Sequence, residues 1–218
     1  MPQVPARELE RLPLRVHSFL ADVPLHDVWA IDLPHARPGI TLDEFSRAAG
    51  AGAHPFKEPP VTRALVNLRL FLGGLFDWDR EPRANAWESF ATRLTPADRS
   101  KSLAPAGTRA GEVFRFVYRF QNEQLLELIN CTAHAAALSA LVETANAYRF
   151  YFGVYVQSVG RFTPVYMALI DPFRKLIVYP SLLRSVRANW DQAFGTGSLP
   201  RYHSPVSFYG KTLVCSAC

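Results

Sequence analysis

The sequence predicts one α+β domain in which a run of antiparallel strands is followed by a long C-terminal helix. Three observations lead there. In residues 113–120, Phe114, Phe116, Tyr118 and Phe120 alternate with Val113, Arg115, Val117 and Arg119, the period-two signature of a strand. Strand-like patterns then recur through Gln157 with only short turn signals between them. From Thr163 to Phe194 the apolar residues return at helical spacing, including Tyr166, Leu169, Ile170, Phe173, Leu176, Leu183, Val186 and Trp190. The 218 residues divide into a polar, Pro-containing lead-in over 1–20, the domain over 21–195, and a Gly/Ser/Pro-containing tail over 196–218.

The elements follow in order. His26 to Leu33 alternates an apolar Trp29, Ile31, Leu33 face with Val28, Ala30 and Asp32, and Pro34 closes this first strand. Thr41 is placed as an N-cap, with Glu44 completing a capping box for a short helix over 42–49 that ends at Gly50. Pro59 and Pro60 open a second short helix with the stripe Val61, Ala64, Leu65, Leu68, Phe71, Leu72, Leu75 and Phe76, interrupted late by Gly73 and Gly74. Residues 77–111 carry Trp78 and Trp87 as isolated anchors, with room for a strand near 87–93 and then a loop. Gln121-Asn122-Glu123 turns the chain from the 113–120 strand into its partner over 124–130. Residues 131–142 are rich in alanine, which favours a helix, but strand patterns flank them closely, and small residues in a strand leave room above a sheet. Tyr148 to Gln157 is aromatic on both sides, as in a strand buried on two faces. In the last helix Thr163 is the expected N-cap and Pro164 the first helical residue; Pro172 and Pro180 should each kink or break it, and Gly195 should end it.

Composition narrows the function classes. About half of the residues are apolar and a fifth are charged, so a packed core is expected. The net charge of +5 comes from scattered arginines rather than a basic run, which argues against a nucleic-acid partner. No apolar stretch reaches the roughly 18 to 20 uninterrupted residues a membrane span needs. Cys131, Cys215 and Cys218 are an odd set, unlike a disulfide framework, and the first residues lack an apolar secretion signal; a reducing cytoplasm is the expected location. The Cys215-Ser216-Ala217-Cys218 pair supplies too few ligands for a structural zinc and lacks the strand-then-helix setting of a redox pair. No phosphate-binding, nucleophile-elbow or zinc-protease motif is present, and no metal or cofactor is expected.

Four blocks carry a resemblance: Glu123-Gln124-Leu125-Leu126, His134, Gly160-Arg161, and Tyr166 through Val178 with its Ile170-Asp171-Pro172-Phe173-Arg174 core. With the element order over 25–195, they resemble the START-like, polyketide-cyclase-like (SRPBCC) superfamily, and within it a bacterial family of unknown function. That family usually has His where this chain has Arg174. The resemblance implies a helix-grip fold: a curved antiparallel sheet wrapped around the long C-terminal helix, two shorter helices near the N-terminus, and an apolar cavity between sheet and helix. It implies no particular activity, because fold does not fix function.

The candidate site follows from that architecture and from the aromatic strands. Phe114, Phe116 and Tyr118 on one strand and Tyr151 on another are expected to line the cavity. His134, on a strand of small apolar residues, either offers a polar anchor there or is satisfied by the backbone. Arg149 lies on an otherwise apolar strand and can hold an anionic group, whereas Arg115 and Arg119 read as a solvated face. The expected partner is a small hydrophobic or amphipathic ligand. The alternatives are a cavity enzyme (cyclase, dehydratase or hydrolase) on a polyketide-like or lipid-like substrate, which needs two converging titratable groups, and an interaction module, which needs an exposed apolar patch on the kinked helix. The sequence does not fix the oligomeric state.

Overall fold

Six strands form one antiparallel sheet in the order β1-β6-β5-β4-β3-β2, with β3 to β6 following one another as neighbours and β1 pairing with β6 from far along the chain. The computed structural model describes residues 3–34, 37–48, 88–110, 114–129, 134–145, 147–160 and 162–195. The helix expected over 59–76, Trp78, Trp87, the three cysteines and the 196–218 tail lie outside the described residues. The strands are β1 (Leu25–Pro34), β2 (Arg109–Ala110), β3 (Phe114–Arg119), β4 (Glu123–Ile129), β5 (His134–Glu143) and β6 (Ala147–Gln157). The β3–β4 hairpin turns over residues 120–122, one residue earlier than expected, because Glu123 already pairs with Ala140. The alanine-rich segment is a strand, held in register between Glu123–Ile129 on one side and Tyr148–Gln157 on the other.

The helices differ from expectation in four places. First, residues 1–20 are not simply a polar lead-in. They contain α1 (Ala6–Glu10) and α2 (Val16–Phe19), whose Leu9, Val16 and Phe19 are buried in the same core as β1, β5 and β6. Second, Phe90–Arg93 is a single 3-10 turn rather than a strand, capped by Ser89, and Pro96–Lys101 forms α4 behind it. The Thr95-Pro96-Ala97-Asp98 sequence starts α4 with a full capping box, a signal the residue pattern itself carries. Third, Thr41 does accept the Glu44 N–H at 3.0 Å at the start of α3 (Leu42–Ala48), but the Glu44 side chain turns away to pair with Arg37. Fourth, the C-terminal helix begins at Phe162, so Thr163 is already helical and its hydroxyl accepts the Val159 N–H instead.

Neither proline breaks that last helix. It runs as α5 (Phe162–Phe173), one π turn (Arg174–Val178) and α6 (Tyr179–Phe194). Pro172 and Pro180 each remove a backbone donor, and the widened turn between them absorbs the mismatch. Such turns are frequent where a helix carries functional side chains.

The pleat sorts the sheet into two faces. On the N-terminal face, Val28, Ala30, Leu125, Leu138, Ala140, Tyr151 and Tyr155 pack with α1, α2 and Phe90. On the long-helix face, Trp29, Ile31, Leu33, Tyr148, Phe150 and Val154 pack with Tyr179, Leu183, Val186 and Trp190 of α6 and with Phe45 of α3. The wholly buried Trp190 anchors this second core. Its ring meets Phe45, Tyr148 and Phe194 at centroid distances of 5.4, 5.2 and 4.7 Å, and its indole N–H donates to the Pro34 carbonyl at 3.0 Å. β6 contributes to both cores, so it is the strand buried on two sides that its sequence predicts.

Candidate functional site: a bulge, a groove and a charged cluster

The register of β1 against β6 slips between Leu25 and Asp27, leaving His26 as the extra residue of a bulge. Bulges re-aim side chains at strand ends. Here the His26 ring reaches across to α5, where its Nε2 lies 2.9 and 3.1 Å from the two carboxylate oxygens of Asp171. Asp27, next along the strand, lies on the long-helix face opposite Val154.

Arg174 and Lys175 complete the cluster from the π turn. Arg174 donates to Asp171 at 2.8 Å and to the Tyr179 hydroxyl, and its other amino group lies 3.5 Å from Asp27 Oδ2. Lys175 reaches Asp171 at 3.0 Å. The Asp27 side chain is wholly buried, and its Oδ1 has no hydrogen-bond partner among the described residues. Burial raises the Asp27 carboxyl above its ordinary range, against the opposing pull of Arg174 and His26. Burial also acts on Asp171, but Lys175, His26 and Arg174 outweigh it and hold that carboxyl low. The Tyr179 hydroxyl is pushed up, chiefly by burial.

His26, Asp27 and Asp171 offer ligand atoms within 4.8 Å of one another, a spacing a metal ion can use. The donor set nonetheless fits a metal badly. Arg174 and Lys175 already contact the two carboxylates, so a divalent cation would sit against two fixed positive charges.

Beside the cluster lies an open groove of about 440 Å³, within the usual size of a small-molecule site. Pro24, Val156, Pro164, Met167 and Ala168 give it apolar walls, and His26, Ser158, Thr163 and Asp171 its polar atoms. Val156 links the groove to the middle of the sheet, since it pairs with Ala135, which pairs with Leu128. The neighbouring row runs Asp27, Val154, Ala137, Leu126, Phe116 across five strands. Ala135, Ala137, Leu126, Leu128 and Phe116 all remain partly accessible. Small side chains in the centre of this face leave space above it. Among the described residues that space is an open groove and a half-covered sheet face, not the enclosed cavity that the sequence suggests.

The six side chains expected to share one cavity do not do so. Strand register places Phe114 and Phe116 on the long-helix face and Tyr118, His134, Arg149 and Tyr151 on the N-terminal face. The slip between Phe116 and Tyr118 is one cause, because a bulge breaks the alternation that made 114, 116 and 118 look co-facial. His134 is buried, stacked on Phe90 at 3.8 Å, with its Nε2 3.5 Å from Glu127. Arg149 is engaged by Asp32 at 2.6 Å and Glu8 at 2.9 Å, and the Tyr151 hydroxyl donates to Glu8 at 3.0 Å. The two contacts to Glu8 tie α1 to the sheet.

The residues that do converge, His26, Asp27, Asp171 and Arg174, were visible in part. His26-Asp27 is a polar pair at the head of an apolar strand, and Asp171, Arg174 and Lys175 have the spacing of helix ion pairs. What joins them is the bulge, which leaves no mark in the residue pattern.

The arrangement defines a class, an α+β protein with an antiparallel sheet and a long C-terminal helix laid across one face, compatible with a helix-grip fold. More narrowly, the chain belongs to the family described as Protein of unknown function (DUF2867), whose pattern it matches over residues 19–181. No curated protein and no solved structure matches it.

Proposed function

We propose that this protein binds a small amphipathic molecule on the long-helix face of its sheet, in the groove between the β1–β6 edge and α5. One observation carries the reading: an apolar groove of about 440 Å³ that ends on a charged cluster built by a strand bulge. The ligand's apolar body lies against Val156, Met167 and Pro164 and extends toward Ala135, while its polar end meets His26. Burying apolar area contributes about 25 cal/mol per Å², of which ordering costs remove a large part, so micromolar affinity is the natural expectation.

The test is a fluorescence titration with an environment-sensitive naphthalene probe on the wild type and on Ala168→Trp. Ala168 is exposed and lines the groove, so a bulky ring there occludes the site without disturbing the core. Saturable one-to-one binding that the variant weakens about tenfold or more supports the reading. Equal binding by both proteins contradicts it.

Two rivals have a specific observation each. Convergence of His26, Asp27 and Asp171 meets the geometric need of an acid–base enzyme acting on the same ligand. Val165, Leu169, Phe173 and Leu176 expose 64, 60, 50 and 76% of their surface along one side of α5 and the π turn, as an interaction module requires. Sedimentation of Leu169→Glu against wild type separates the last case: a wild-type oligomer dissolved by the charge favours a docking helix.

A further inference from the structure

We propose that the groove is selective for an amphipathic anion, whose charged head is received at His26 together with one proton. This rests on the ligand-binding reading above and adds the chemical class of the head group.

The argument is a charge count over every group that faces His26. From its own strand comes Asp27, with Asp27 Oδ2 3.9 Å from Nε2. From α5 comes Asp171, and from the π turn come Arg174 and Lys175. Tyr179 of α6, held neutral by burial, closes the far side of Arg174. β6 and the segment just after it present Val156 and Ser158 to the groove, neither of them charged. Two carboxylates and two permanent cations cancel, and protonation of Asp27, which burial favours, leaves the cluster positive. While Arg174 and Lys175 keep their charge the cluster is never net negative, so it has nothing to offer a cationic head.

The hydrogen bonds agree with the count. Both oxygens of Asp171 already accept from His26, Arg174 and Lys175. Asp27 Oδ1 is an orphan acceptor among the described residues, but it is sealed from the groove side by burial. The ring nitrogen His26 Nδ1 makes no hydrogen bond among the described residues, and Lys175 has N–H donors beyond the one it gives to Asp171. With Nε2–H held by Asp171, a proton added to Nδ1 makes His26 an imidazolium donor at the groove wall. An arriving anion supplies the counter-charge. Uptake of the anion and of the proton are therefore linked, and each strengthens the other.

The test uses three eight-carbon probes whose charge is fixed between pH 5.5 and 8.5: octane-1-sulfonate, octan-1-ol and octylammonium. Their dissociation constants are measured by calorimetry across that range on the wild type, His26→Gln and Lys175→Met. The expected result is sulfonate binding at least about tenfold tighter than the alcohol at low pH, with that advantage falling by up to about tenfold per unit as His26 loses its proton. His26→Gln should keep the alcohol and abolish the pH dependence, and Lys175→Met should weaken the sulfonate alone. Tighter binding of octylammonium, or a sulfonate preference that ignores pH or survives in His26→Gln, overturns the proposal while leaving the groove a ligand site. Failure of all three probes to bind overturns both.

Discussion

The two faces of the sheet solve different problems with similar residues. On the N-terminal face two glutamates are buried and tied to backbone that must be held. Glu127 accepts the Ser89 hydroxyl and the Phe90 N–H, fixing the 3-10 turn, and Glu123 accepts the Arg15 N–H at 2.9 Å, fixing the start of α2. Arg15 in turn makes a two-pronged pair with Asp98 at 3.0 and 2.8 Å, joining α2 to α4. On the long-helix face the charges sit at the rim of a groove, and the central strands present alanine and half-exposed leucine. The first face is polar where structure must be fixed. The second is half-covered and open beside its charged rim among the described residues.

Substitutions sharpen that contrast, starting with the largest effect. Trp190→Ala should cost about 3–5 kcal/mol, because it empties the centre of the α6 core and strands the Pro34 carbonyl; denaturant titration reads it directly. Glu127→Ala should cost about 2–4 kcal/mol, since the buried Phe90 N–H loses its only acceptor among the described residues, and ligand binding should be unchanged in the folded fraction.

Glu123 gives a pH signature of its face. Burial raises its carboxyl from an ordinary 4.5 to about 7. The native state therefore holds a proton the unfolded chain has lost, and stability should fall as pH rises through that interval and level off above it. Glu123→Gln keeps the acceptor for Arg15 and should flatten the curve, so that at pH 8 the variant is about 1–3 kcal/mol more stable than wild type, and at pH 4 about equal. Melting temperatures at the two pH values decide it.

Asp98 has the opposite sign. The Arg15 pair, with Thr95, holds it far below the usual carboxylate range. Its contribution is present at neutral pH and is lost as acid protonates it. Asp98→Asn should cost about 1 kcal/mol at pH 7, and the difference should shrink steadily as pH falls below the ordinary carboxylate range. On the opposite face, Ala137→Leu should change stability least, by under about 1 kcal/mol, because that position is half-open, yet it should weaken ligand binding by filling the floor.

Much of the fold was legible because it rests on period. The 114–119 and 123–129 hairpin, the two-sided β6 and the long C-terminal helix all announce themselves through aromatic or aliphatic spacing. The short helices of residues 6–19 did not, since four- and five-residue helices carry too few turns to show a stripe. The site was legible only in pieces. Alternation assigns His134 and Arg149 to a strand but not to a face shared with Phe116, and two bulges, at His26 and between Phe116 and Tyr118, shift the side chains that alternation would have placed. The alanines of β5 did signal room above the sheet, and that room lies beside the groove.

The division between the faces is tested most directly by mapping amide chemical shifts while octane-1-sulfonate is titrated into isotopically labelled protein. Saturable shifts at His26, Val156, Ser158 and along Thr163–Lys175, with Glu123, Glu127, His134 and Tyr151 unmoved, are the predicted result. Shifts centred on His134, Arg149 and Tyr151 would contradict it and return the ligand to the N-terminal face.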